Sequence, residues 1–413
     1  MHREAGCSGI SRARGKSAAE RFCIVLAAAA TFVFASTETF AQALEIKIGY
    51  LHRPASKDRI SLLDIPARDD GLAGAALGNE DNATTGRFTG QTFTLVSRSI
   101  SDVSEIGPAL SALADDGVSA VLVDGDAAGV LAAADAAKSR GLAVLNIAAP
   151  DDDLRGVQCS VNLIHVAPSR AMLADALGQY LALKNWKRWF LMVGTNPGDQ
   201  ALGAAFERAA KRFGAKIVEK REFKDTGGAR RTDSGLVQAQ QMMAGATQGA
   251  NDHDVLVAAD ESDVFAGYLP YRTWSPRPVG GSAGLIPTGW DPSFDQWGGL
   301  QLQNRFVRKA RRLMTALDYQ AWVAVRMIGE AATRTKSNDP AALAAFLKSP
   351  DFSIAAFKGQ KLTLRDWDGQ LRQPVLLFDG KNTVSVSPQS GYLHPVTTLD
   401  TLGYDRPETQ CKF

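Results

Sequence analysis

The chain has 413 residues, with 46 Lys and Arg against 44 Asp and Glu. That length suits two domains better than one. The near balance of charge argues against a nucleic-acid binder, which would show a basic surplus.

Near the N-terminus, Arg12, Arg14, Lys16 and Arg21 precede an apolar run of 14 residues from Phe22 to Ala35. A bilayer-spanning helix needs about 20. Ala41-Gln42-Ala43 then places small residues where a signal peptidase reads them. The pattern predicts a signal peptide over 1–43, cleaved to leave Leu44 first and the protein exported. Cys23 starts the apolar run and follows no small-residue site, so it does not mark a lipid anchor. The exported chain would hold 41 basic and 41 acidic residues. It would keep two cysteines, Cys159 and Cys411. In an oxidising compartment they are either a disulfide tying the C-terminal tail to the body or two buried thiols. Two isolated cysteines do not make a zinc site.

From residue 44 the chain alternates strand and helix patterns. EIKIGYL (45–51) is apolar at every second position, and TFTLVSRSI (92–100) follows a Gly- and Asp-rich helix start. A helical stretch through Leu110 and Leu113 leads to AVLVD (120–124), a continuous apolar run of the kind buried on both faces. VLAAADAAKSRG (130–141) reads as a helix ended by glycine, and LAVLNIAA (142–149) as the next strand. This order predicts a parallel sheet covered by helices. The pattern then restarts: a helix over 171–183, a strand over 188–194, a helix over 201–214 and a strand over 216–223. A polar loop with Gly227-Gly228 and Arg230-Arg231 precedes a helix around Leu236–Met243. Strands over 254–260 and 278–284 complete the second unit. The remainder has a long helix over 315–335, a shorter one over 340–348 and strand-like pieces at 361–365 and 374–378. These complete both earlier units, with the chain crossing back between them. In open α/β sheets ligands bind beyond the carboxyl ends of the strands. Two such sheets face to face make a cleft that closes by hinge motion.

The stretches LGNEDNATTGRFTGQTFTLV, AVLVDGDAAGVLAAADAAKSRGLAVLNIAAPDDDLR, VGTNPGDQALGAAFERAAKRFGAKIVEKREF and LDYQAWVAVRMIGEA, in this order and spacing, resemble the type I periplasmic binding proteins of ABC importers, in the branched-chain amino-acid-binding group. The resemblance implies an α/β fold of two Rossmann-like lobes with parallel sheets joined by crossing hinge segments. It implies an N-lobe from 44–165 plus 284–367 and a C-lobe from 166–283 plus 368–413. It also implies a periplasmic location, and a permease and ATPase as partners. LHRPASKDRISLLDIPARDDGLAGAALGNEDN and SAGLIPTGWDPSFDQWGG are similar to a subgroup associated with pyrroloquinoline quinone (PQQ)-dependent alcohol dehydrogenase systems. That likeness implies PQQ, or a related small molecule, as ligand.

The amino-acid-binding relatives hold a ligand carboxylate with small hydroxyl residues and an ammonium with acids. Here Ala127 and Ala128, and Ala149 with Pro150, stand at the expected hydroxyl positions, and proline offers no N–H. Arg170 in HVAPSRAM replaces the usual Asp, and Ser282 or Ala283 the expected acid near the last C-lobe strand. The departures favour an anion, which an arginine fork pairs bidentately. His52 and Arg53 lie just past the first strand, and His165 at a lobe crossing. Trp290 and Trp297, in IPTGWDPSFDQWGG, either cover a flat ring system or pack into a lobe. Asn196 and Asp199, and Asp260 and Glu261, end C-lobe strands and either meet the ligand or cap the helices that follow. No G-x-S-x-G, H-E-x-x-H, phosphate-binding or dinucleotide-binding loop stands at a strand–helix junction, so catalysis, a catalytic cofactor and a metal site are not expected. Branched-chain amino acids, amides, alcohol-derived acids, or ligand sensing without transport are the alternatives.

Overall fold

The computed structural model describes residues 43–53, 65–224 and 233–413, the side chains of 233–238 aside. The predicted signal peptide, but for Ala43, and the loop with Gly227-Gly228 and Arg230-Arg231 lie outside the described residues.

The first unit runs β1 (Leu44–His52), α1 (Leu72–Thr89), β2 (Gln91–Ser99), α2 (Ile106–Asp115), β3 (Val118–Asp124), α3 (Ala127–Lys138), β4 (Ala143–Asn146) and β5 (Leu163–His165). Its five strands pair in parallel in the order β2-β1-β3-β4-β5. Every residue of β3 is buried, as its unbroken apolar run requires. The second unit runs α4 (Arg170–Leu183), β6 (Arg188–Gly194), α5 (Pro197–Arg212), β7 (Lys216–Phe223), α6 (Asp233–Thr247), β8 (Val255–Ala259), α7 (Leu269–Arg272) and β9 (Val279–Gly281). Its four parallel strands lie in the order β7-β6-β8-β9.

The rest comprises β10 (Ile286–Thr288), α8 (Gly299–Ala310), α9 (Ala316–Thr335), α10 (Pro340–Lys348), β11 (Ile354–Ala355), β12 (Lys361–Leu364), β13 (Leu371–Arg372), β14 (Val375–Phe378) and β15 (Thr383–Ser387). Helix α9 lies against α1 in the first lobe's core, with Ile46, Ile48 and Tyr50 of β1 beneath them. A β-carbon on Gly74 would lie 1.9 Å from the Asp318 carbonyl oxygen, and one on Gly329 2.2 Å from the Asn82 side chain. Both positions therefore need glycine for the two helices to touch. Helices α2 and α3 cover the other face of that sheet. In the second lobe, α4 and α5 pack with Trp189, Leu191 and Val193 of β6.

Three passages join the lobes. Val166 packs in the first core and Met172 in the second; Leu285 packs against the second and Trp290 in the first; Leu371 packs in the first and Val375 in the second. The third passage falls a few residues past the boundary expected at 367, because Leu371 and Arg372 still pair with β12. Strand β14 serves both lobes, since Val375 and Leu377 enter the second core while Leu376, on its opposite face, enters the first. Helix α8 is absent from the predicted elements. It opens on Gly298-Gly299 and shows only Leu302 and Phe306, one turn apart, as a buried apolar face.

Cys159 and Cys411 are joined, with their Cα atoms 5.6 Å apart. The tail reaches that bond from the second lobe, where Gly403 N donates to Asp175 of α4 at 2.8 Å and Arg208 of α5 donates to the Gly403 carbonyl at 2.9 Å. Cys159 belongs to the segment between β4 and β5, so the tail straps one lobe to the other.

Candidate functional site

The parallel register of β1 and β3 ends with His52 opposite Asp124. Tyr50 and His52 are two residues apart, hence on one face of the strand, and both reach Asp124. Tyr50 Oη donates to Asp124 Oδ2 at 2.8 Å, and His52 Nδ1 bonds the same oxygen at 2.7 Å. The bond to Asp124 raises the His52 pKa above its ordinary value, against a smaller opposing effect of burial. Arg53 pairs with Asp126 at 2.5 Å, and Asp126 also caps α3 through Gly129 N. The Arg53 cation is thus already paired, not the free anion donor its position suggested.

After β4, Asn146 folds the next loop around itself. Its Oδ1 accepts from Ala148 N and Ala149 N, and its Nδ2 donates to the Ala149 carbonyl. This presents Pro150, whose carbonyl accepts from Arg170 N at 2.9 Å. His165 is fully buried there, held neutral by burial and by the charge of Arg155. It donates to the Leu154 carbonyl, so it is a prop for this loop and offers the ligand nothing.

Arg170 opens α4, with Ser169 as its cap. Its guanidinium is the meeting point of three loops. Nε and Nη2 donate to Glu261, beyond β8, each at 2.8 Å, and Nη1 donates to Asp151, beyond β4, at 2.7 Å. Gly198, near the start of α5, closes the third side; a β-carbon there would lie 2.7 Å from Glu261 Oε2. Burial opposes the charge, but Glu261 and Asp151 outweigh it and raise the guanidinium pKa further. Two carboxylates on one guanidinium leave the cluster with one excess negative charge. The unencumbered fork expected from the sequence is not what the fold builds.

Asn196 heads α5 in a reciprocal cap with Asp199, and its Nδ2 also donates to Ser262 at 2.8 Å. Trp290 is 2 % exposed, stacked on Tyr319 at 4.7 Å between ring centres, with its indole N–H on Gln303. It is a core residue of the first lobe and cannot cover a ligand ring. Trp297 is exposed, but its ring lies on Gly359 and beside Phe294, at the foot of α8. The structure therefore gathers Pro150, Arg170 and Glu261 with Asn196 nearby, places His52 and Arg53 at the end of β1, separated from β4 by β3, and sets both tryptophans among other residues. Asp151 and Gly198 complete the cluster and were not anticipated. The acidic run Asp151–Asp153, directly after a strand end, was the available signal for the first.

Two parallel α/β sheets whose carboxyl-end loops meet at one cluster define a two-lobed binding protein. The chain belongs to the Periplasmic binding protein family, matching it over residues 66–384, and that is a family of binders, not of enzymes. No curated protein matches it. Solved structures share the fold. A branched-chain amino acid ABC transporter periplasmic ligand-binding protein from Burkholderia xenovorans is 20% identical, covering 89% of this chain and 99% of its own, with a TM-score of 0.67. A periplasmic binding protein from Burkholderia mallei is 19% identical over 89% and 98%, with a TM-score of 0.63. A solute-binding protein from R. palustris in complex with benzoate is 12% identical over 89% and 100%, with a TM-score of 0.62.

Proposed function

We propose that the chain is the solute-binding component of an ABC importer, delivering a small molecule held between its lobes to a permease and ATPase. One observation carries this reading: loops from both sheets converge on Arg170, so a ligand seated there would touch both lobes at once and favour their closure. For the ligand we put forward PQQ or a related aromatic organic anion. The two stretches similar to the PQQ-associated subgroup support it, as does benzoate in one neighbour of the same fold. An anion would take the place of Asp151 on Arg170 Nη1.

A specific observation favours a second reading. The Asp151–Arg170–Glu261 cluster already carries excess negative charge, which suits a ligand bearing an ammonium or amide donors, such as an amino acid. A thermal-shift panel of PQQ, benzoate and leucine decides between them. A ligand at about 100 times its Kd adds ~2.7 kcal/mol of stability. PQQ is expected to raise the melting temperature and leucine to leave it unchanged. Stabilisation by leucine alone would establish the second reading.

A further inference from the structure

Buried cations fasten the three passages between the lobes. Arg155 donates to the carbonyls of Ala149, Asp151 and Ala167 and to Gln370 Oε1, which ties the first passage to the third. Lys358, from the loop between β11 and β12, serves the other two. It is 1 % exposed, and its Nζ donates to the Gly289 carbonyl of the second passage and, at 3.4 Å, to the Pro374 carbonyl of the third. The rings of Tyr319, Phe294 and Trp290 surround the amine at 5.0, 5.7 and 5.9 Å.

Among the described residues no carboxylate lies within ion-pair reach of Lys358. The charged group that acts on it is Asp291, beyond the second passage, which accepts from Ser293 and Thr383 of β15. Helix α9 faces it with Tyr319, whose hydroxyl donates to the Ala356 carbonyl. On the third passage Arg372 pairs with Asp400, and Gln373 donates to the Val166 carbonyl.

We propose that Lys358 is a proton-operated hinge pin: neutral, it holds the second and third passages together, and protonated, it favours a lobe arrangement in which they part and water reaches the amine. Carbonyls and ring faces compensate a buried ammonium only in part. Burial accordingly pushes this amine down to about 7, with Asp291 opposing. An arrangement that hydrates the amine returns it toward its ordinary value. Whichever arrangement has the lower value loses population as the pH falls from the higher value to the lower, and below the lower value the balance no longer changes. The described arrangement should therefore give way as the pH falls from the ordinary 10.5 toward about 7, with no further change below it.

The test uses the full chain without any ligand, so it stands apart from the identity of the solute. Dyes go on exposed residues 87 of the first lobe and 211 of the second, and energy transfer is followed from about pH 6 to about pH 11. The expected result is one transition between about 7 and 10.5 in the unsubstituted protein, none in Lys358→Met, and in Lys358→Arg the acid-side value throughout. A flat profile in the unsubstituted protein, or the same transition in Lys358→Met, overturns the proposal. If Lys358→Met does not fold, NMR titration of labelled lysines in the unsubstituted protein decides. One lysine titrating well below its ordinary 10.5 supports the pin, and every lysine near 10.5 refutes it.

Discussion

Arg170 and Arg155 start fifteen residues apart and do opposite work. Arg170, at the junction of the cleft loops, is satisfied by two carboxylates that remain 32% and 25% exposed. Arg155, at the hinge, is satisfied by three backbone carbonyls and one amide oxygen, with every bond but that to Asp151 fully buried. Partly exposed carboxylates can turn to water when a ligand displaces them; main-chain carbonyls cannot leave without unmaking the fold. Burial shows in the titration of the second, which falls to about 10, while the acids beside the first raise it. A buried cation is thus an exchangeable site or a fixed fastener according to what surrounds it.

The largest test of this contrast is Arg155→Met. It leaves the Asp151 carbonyl and Gln370 Oε1 without a donor, while the Ala149 and Ala167 carbonyls keep Asn146 and Gln370, and urea unfolding should show a loss of about 4 kcal/mol. Arg170→Met should cost clearly less, since its two acids can hydrate; equal losses would break the comparison. Removing the strap with Cys159→Ser and Cys411→Ser should lower stability by about 3 kcal/mol, read from thermal unfolding. A change of a few tenths would mean that the noncovalent fasteners alone hold the passages. In the cleft, Asp151→Asn removes a competitor for Arg170. Benzoate or PQQ should then bind about fivefold tighter, about 1 kcal/mol by calorimetry, whereas an ammonium-bearing ligand should bind more weakly. The smallest effect belongs to His52→Gln. The His52 pKa is raised in the folded state, so its bond to Asp124 stabilises fully below about 6.5 and fades as the pH rises through the raised value. The gap in melting temperature between the two proteins should be widest in acid and narrow toward about pH 9. A gap independent of pH would assign His52 a packing role only.

The two-sheet architecture was legible because β3 and β8 hold continuous apolar runs, over 120–123 and 255–259, and the helices between them end at glycines or turns. Helix α8 was not, because its apolar face is two residues wide. At the site, the place of Arg170 at the head of α4 could be read, but its partners stand 19 and 91 residues away and are supplied by topology. Trp290 sits in a Gly- and Pro-rich segment that reads as a loop; only the presence of Tyr319 on α9 shows it to be core. Lys358, between Phe357 and Gly359, has the composition of a surface turn, and nothing local betrays that three rings enclose it.

The bond from Cys159 to Cys411 spans 252 positions and makes most of the described chain a covalent ring. A protease that cuts once anywhere inside that ring does not divide the protein. The two pieces stay attached, the nicked species migrates as one band until a reductant is added, and a lobe opened by a single cut still has its counterpart beside it to close upon.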